Sequence, residues 1–200
     1  DGNGLMPEGT VIVVDDKGTI LEITTKDQVD ETTEVHYFDG ILCPGFVNAH
    51  CHTELSNLYK LIPENTGLVN FVKAIPYLRM TLHQEQKMKV IEAAFDTMYS
   101  NGIVAIGDIA NTHDSALMRV AHRMHVHTFV EALGFVPEGA AKRFEEAKAV
   151  YEQYQNSDKN FNGMTLKQSI TPHAPYSVCD ELYEAIDTFD PASIISIHNQ

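Results

Sequence analysis

Two histidines stand two residues apart where an apolar run ends: Phe46, Val47, Asn48 and Ala49 lead into His50, Cys51 and His52. In an extended strand, side chains at i and i+2 point to the same side, so both imidazoles can reach one ion. Neutral imidazole is the common protein ligand for zinc and similar divalent cations. The spacing alone is weak grounds, because it recurs at His125 and His127. Position separates the two pairs. The first lies where a strand runs out into a long loop, the end at which barrel enzymes place their catalytic groups. The second lies at the beginning of a strand and reads as structural.

Two further imidazoles sit at strand exits. His173 lies between Pro172 and Pro175, which hold it in a fixed loop. His198 closes the apolar run Ile194, Ile195, Ser196 and Ile197. Taken singly, each has a bland reading: an exposed histidine on a rigid turn, or a satisfied core histidine. Histidines at three strand exits on one rim make a catalytic metal site the better reading.

The elements that position these residues follow from periodicity. The first forty residues carry β-type runs at 10–14, 19–23 and 34–38, with Asp16, Lys17 and Gly18 forming the first turn. From Ile41 the rhythm changes to apolar strands alternating with amphipathic helices, which is the pattern of βα units around a parallel sheet. Strands are expected at 41–48, 103–109, 127–133, 165–171 and 193–198. Helices are expected at 84–100, stopped by Asn101 and Gly102, and at 115–124, 140–154 and 179–189. Ser177 and Asp180 have the spacing of a capping box before the last of these. The pattern alone leaves both a doubly wound sheet and a barrel open.

Composition narrows the function classes. Lys plus Arg total 14 against 28 for Asp plus Glu, and a net charge of −14 repels nucleic-acid phosphates and anionic membranes. No stretch approaches the roughly 18 apolar residues of a spanning helix, and the N-terminus lacks a signal-peptide layout, so a cytoplasmic protein is expected. Cys43, Cys51 and Cys179 are scattered and odd in number, which reads as reduced thiols.

The segment 44–56, the strand 102–111 with Asp108, the loop 171–177 and the run Ile197, His198, Asn199 and Gln200 together resemble the amidohydrolase superfamily. The branch is that of cytosine deaminase, S-adenosylhomocysteine deaminase, aminofutalosine deaminase and the triazine chlorohydrolases. The resemblance implies an α/β fold: an incomplete (β/α)8 TIM-type barrel of about five βα units over 41–200, preceded by part of a small β-sandwich domain over 1–40. It maps the metal ligands onto His50, His52 and His198 and a substrate contact onto His173. Glu54 continues the i, i+2, i+4 series from His50 and is a further candidate for substrate contact, with loop structure as the alternative. Asp108 either supports the site or caps the following turn. Lys167 lies near the beginning of its strand, not at the exit where binuclear members carry a carboxylated lysine, so one divalent ion is implied, zinc or alternatively iron(II).

The implied activity is hydrolysis of a non-peptide C–N bond, most naturally deamination of an aminated purine, pyrimidine or related heterocycle. The ion brings the pKa of its water towards roughly 7, the water attacks a ring carbon, and ammonia leaves. The family's proton-transfer glutamate, histidine and aspartate are expected beyond Gln200, so the 200 residues alone are expected to contain no catalytic residue and to be inactive. Dechlorination or cyclic-amide hydrolysis, and a non-catalytic metal-binding fragment, are the alternatives. The implied partner is a small heterocyclic substrate, with neither nucleic acid nor membrane. An open sheet edge leaves room for a homo-oligomer.

Overall fold

The computed structural model describes residues 4–81, 83–157 and 164–199; Gln200, the last residue of the motif around His198, lies outside them. The chain divides into two compact units, Asp1–Cys43 and Pro44–Gln200.

The first unit is built on an antiparallel pair, β1 (Thr10–Val14) and β2 (Ile20–Thr25). Its turn is set by Asp15, whose Oδ1 accepts the backbone N–H groups of Lys17 and Thr19 at 2.9 and 2.8 Å, with Gly18 at φ 81°. The third strand read at 34–38 does not form among the described residues. Tyr37 and Phe38 are 73% and 75% exposed there, so the apolar face that the alternation promised is not buried.

The second unit is an α/β layer. A parallel sheet runs in the order β3 (Phe46–Cys51), β4 (Ile103–Ala110), β5 (His125–Ala132) and β6 (Leu166–Pro172). Helices α1 (Leu68–Leu78), α2 (Gln84–Ser100), α3 (Ala116–Ala121), α4 (Ala140–Ser157) and α5 (Asp180–Phe189) fill the connections. In β4, β5 and β6 the amino-terminal residues alternate between partly exposed and covered, whereas the carboxyl-terminal halves are buried throughout. That burial gathers the polar side chains Asp108, Thr128, Glu131, Ser169 and Thr171 towards the carboxyl ends.

Ile91 and Phe95 of α2, one turn apart, pack on Ile106, Met124 and Val126. Ala140, Ala147 and Tyr154 of α4, seven residues apart, pack with Val130, Ile170, Leu182 and Ile186. Each fully buried large side chain stabilises the fold by about 1.5–3 kcal/mol. Arg119 of α3 is buried too, and its guanidinium donates to Thr128 Oγ1 at 2.9 Å and Gln168 Oε1 at 2.7 Å, which ties that helix to β5 and β6. Gly107 is required where β3 closes on β4, because a Cβ there would collide with the backbone oxygen of Ala49.

Three further sequence readings need correction. The run 193–198 forms no strand. It lies beside β6 through Ser169 Oγ, which donates to Ile194 O at 2.6 Å, and Thr171 Oγ1, which accepts Ser196 N–H at 2.8 Å, so side-chain hydroxyls replace a backbone ladder. The long loop after the first βα strand contains α1, with Pro76 inside it. The capping box does not form: the N-cap of α5 is Cys179, and Ser177 is used elsewhere. Among the described residues no helix is long and apolar enough to cross a membrane.

Candidate metal centre

His50 and Cys51 are the last residues of β3, and His52 opens the turn that follows. The backbone beyond them is fixed by a buried carboxylate. Asp108 on β4 accepts Thr53 N–H at 2.9 Å, Thr53 Oγ1 at 2.8 and 2.9 Å, and Ser115 Oγ at 2.8 Å. Burial pushes the Asp108 carboxyl above its ordinary range, while the bonds from Thr53 and Ser115 pull the other way. Tyr154 of α4 extends the chain of contacts, with its hydroxyl 2.8 Å from Ser115 Oγ and donating to Thr112 O at 3.0 Å. Asp108 is thus a support for the ligand loop and a clasp on the start of α3.

His198 reaches the same place from the other side of β6, its N–H donating to His173 O at 2.9 Å. The rings of His50, His52 and His198 converge, with centroids 4.7 to 5.5 Å apart. One ligand atom from each lies within 4.8 Å of the others. Nitrogens about 2.1 Å from a tetrahedral zinc stand about 3.4 Å apart, and small ring rotations close the difference. The donor set also fits the ion chemically. Burial lowers the pKa of His50, with the neighbouring His198 adding to it. Burial, with help from His50 and His198, pushes His52 down to about 4. Both rings are therefore neutral at pH 7 and carry the lone pairs a cation needs.

His173 sits beside this group, its ring centroid 5.0 Å from that of His198. Its Nδ1 is 2.8 Å from Ser177 Oγ, and that hydroxyl donates to Ala174 O at 3.1 Å. With the serine proton spent on the carbonyl, His173 carries its own proton on Nδ1 and presents a lone pair at Nε2. Ser177 therefore serves the histidine and not the helix cap.

Glu54 is not presented to the site. It is 3% exposed; Oε2 accepts the N–H groups of Asn111 and Thr112 at 3.1 and 2.9 Å and Thr112 Oγ1 at 2.7 Å, and Oε1 pairs with Arg79. Its oxygens are occupied by loop structure, which is the alternative the sequence left open. Glu131 is the residue the sequence reading missed. Its Oε1 lies 3.2 Å from His198 Nε2, and its Oε2 accepts Asn111 Nδ2 at 3.0 Å. The only sequence signal was a carboxylate near the carboxyl end of β5, among Phe129, Val130 and Ala132.

The residues 41–198 match the model of the amidohydrolase family. The chain belongs to that family. It is 25% identical over 167 residues to an adenosine deaminase of Helicobacter pylori, covering 80% of this chain and 38% of that protein. In fold it is similar to Helicobacter pylori aminofutalosine deaminase in complex with methylthio-coformycin, with TM-score 0.62 and 20% identity over 78% of this chain and 37% of the other. It is also similar to atrazine chlorohydrolase from Arthrobacter aurescens complexed with zinc and atraton, with TM-score 0.65 and 14% identity over 96% of this chain and 51% of the other. The chain spans less than half the length of the curated relative, 38% of it.

Proposed function

We propose that the full-length protein is a metal-dependent deaminase acting on an aminated purine, pyrimidine or related heterocycle, with an adenosine-like nucleoside as the first candidate. In this reading the parallel sheet is the opening arc of a (β/α)8 barrel, and the β1–β2 pair belongs to a small accompanying sandwich. The observation that carries it is the convergence of His50, His52 and His198, with ligand atoms within 4.8 Å of one another.

His50, His52 and His198 would hold the ion, zinc or alternatively iron(II). Bound there, a divalent ion would supply the Lewis acidity that brings water to a pKa of about 7. The protein's own residues do the rest. Asp108 and Thr53 fix the peptide next to His52, so the backbone carrying that ligand is already held in place. His173, with its lone pair at Nε2, accepts a hydrogen bond from a donor on the substrate and so orients the ring.

The test is an ammonia-release assay on the full-length protein with adenosine, cytosine, guanine and aminofutalosine, with metal content measured in parallel. Ammonia from one of the four, lost with the metal in His50→Ala, is the expected result. A metal-loaded protein that releases no ammonia from any of them but dechlorinates a triazine or opens a cyclic amide moves the reaction to those chemistries.

A further inference from the structure

We propose that Glu131 sets the specificity of the deamination. Its carboxylate, between His173 and His198, accepts an N–H of the substrate's departing amine and so selects a primary amine over a halide or an alkoxide as the leaving group. The inference rests on the deaminase reading above and names the substrate edge that reading requires. One carboxylate oxygen of Glu131, one ring nitrogen of His173 and one of His198 lie within 4.8 Å of one another. A group that His173 orients beside the ligand His198 therefore lies against Glu131 as well.

The side chain of Glu131 is 4% exposed. Among the described residues its polar partners are Asn111, whose Nδ2 donates to Oε2 at 3.0 Å, and His198, whose Nε2 stands 3.2 Å from Oε1. A carboxylate has about four lone-pair sites, so it has room for a further donor, and burial makes unused capacity costly. Asn111 is itself seated, its backbone N–H donating to Glu54 Oε2 at 3.1 Å, so the acceptor is fixed before a substrate arrives. His173, with its proton on Nδ1 facing Ser177 Oγ at 2.8 Å, brings a second acceptor at Nε2. A primary amine has two N–H donors, and a nitrogen at about 2.9 Å from each of two acceptors sets them roughly 5 Å apart or less. In the reaction the water oxygen bonds to the ring carbon, the C–N bond breaks, and the amine takes one proton from that water to leave as ammonia. Glu131 neither gives nor takes that proton. Its pull on an N–H already present makes the amine nitrogen more basic and readier to accept it. A methoxy or chloro group offers no N–H and leaves the carboxylate without that partner.

The test takes the full-length protein and whichever of adenosine, cytosine, guanine and aminofutalosine it deaminates. That compound is set against the same ring carrying methoxy in place of the amine, with zinc content measured alongside. In Glu131→Gln the amide oxygen keeps the Asn111 bond and the amide nitrogen replaces Oε1, which turns an acceptor into a donor. Glu131→Met removes the polarity and keeps the result readable if the first variant fails to fold. The amine-to-methoxy ratio of kcat/KM should fall about 100-fold in either variant, the range for a hydrogen bond to a charged group, with zinc retained. A ratio that stays at the wild-type value in both variants overturns the inference and leaves the deaminase reading standing. Zinc lost in step with turnover also overturns it, since Glu131 then acts on the ligand His198. A wild type that releases ammonia from none of these compounds removes the deaminase reading and this inference together.

Discussion

The chain holds two pairs of histidines with identical spacing on β-strands, and the sheet gives them opposite fates. At the amino end of β5, His125 Nδ1 accepts the Thr165 N–H at 2.9 Å, and His127 Nε2 is 2.9 Å from Ser169 Oγ. One ring nitrogen of each is taken up by the fold. At the carboxyl end of β3, His50 and His52 face His198, and the His50 ring takes a weak contact from Ser196 Oγ to Nδ1 at 3.4 Å. Spacing brings two imidazoles to one side of a strand; what decides their use is whether the surrounding protein has already claimed the nitrogens.

The contrast breaks most sharply under alanine substitution of a ligand. His50→Ala should lower kcat/KM of the full-length protein by about 10³-fold or more, since Lewis-acid stabilisation is worth several kcal/mol at ~1.36 kcal/mol per decade. His127→Ala should leave metal content unchanged, and equal zinc loss in the two variants would end the distinction. Next in size, Asp108→Ala removes the acceptor for Thr53 and Ser115, and should cost about 3 kcal/mol or more in urea unfolding. Ser177→Ala frees the His173 ring to adopt its other tautomer. We expect a drop in kcat/KM of about 10-fold with zinc content unchanged.

Acid should expose the pair at the rim in the metal-free protein. His52 has its folded-state pKa depressed to about 4 from an ordinary 6.5, so the unfolded chain binds the proton more readily. Its contribution to stability is present above pH 6.5 and is lost as pH falls towards about 4. His52→Gln should flatten that part of the stability profile measured by urea titration at successive pH values. Smallest of all, His125→Ala should cost about 0.5–1.5 kcal/mol, one hydrogen bond at the edge of the fold.

Much of this was legible before the fold. The α2 bounds follow from the pattern 84–100, and the apolar runs and punctuating prolines suffice to suggest that His50, His52, His173 and His198 share one rim, although the run ending at His198 is not a strand. Glu131 was hidden because an acid inside a strand is read by default as an outward-facing solvated group. Glu54 takes the loop alternative because i, i+2, i+4 counting holds only while the backbone stays extended, and β3 ends at Cys51. The run 193–198 has the composition of a strand, but its hydrogen bonds go to the hydroxyls of Ser169 and Thr171, a choice no local pattern encodes.

Tyr154 lies far along α4, on a helix packed outside the sheet, and is fully buried. Its hydroxyl meets Ser115, Ser115 meets Asp108, and Asp108 grips the amide that follows His52. The tolerance to which a ligand is set is thus machined from a buried hydroxyl three handshakes away. Tyr154→Phe keeps the ring and deletes one link, so any slackening should register at the rim as faster zinc release, with no atom near the ion having been changed.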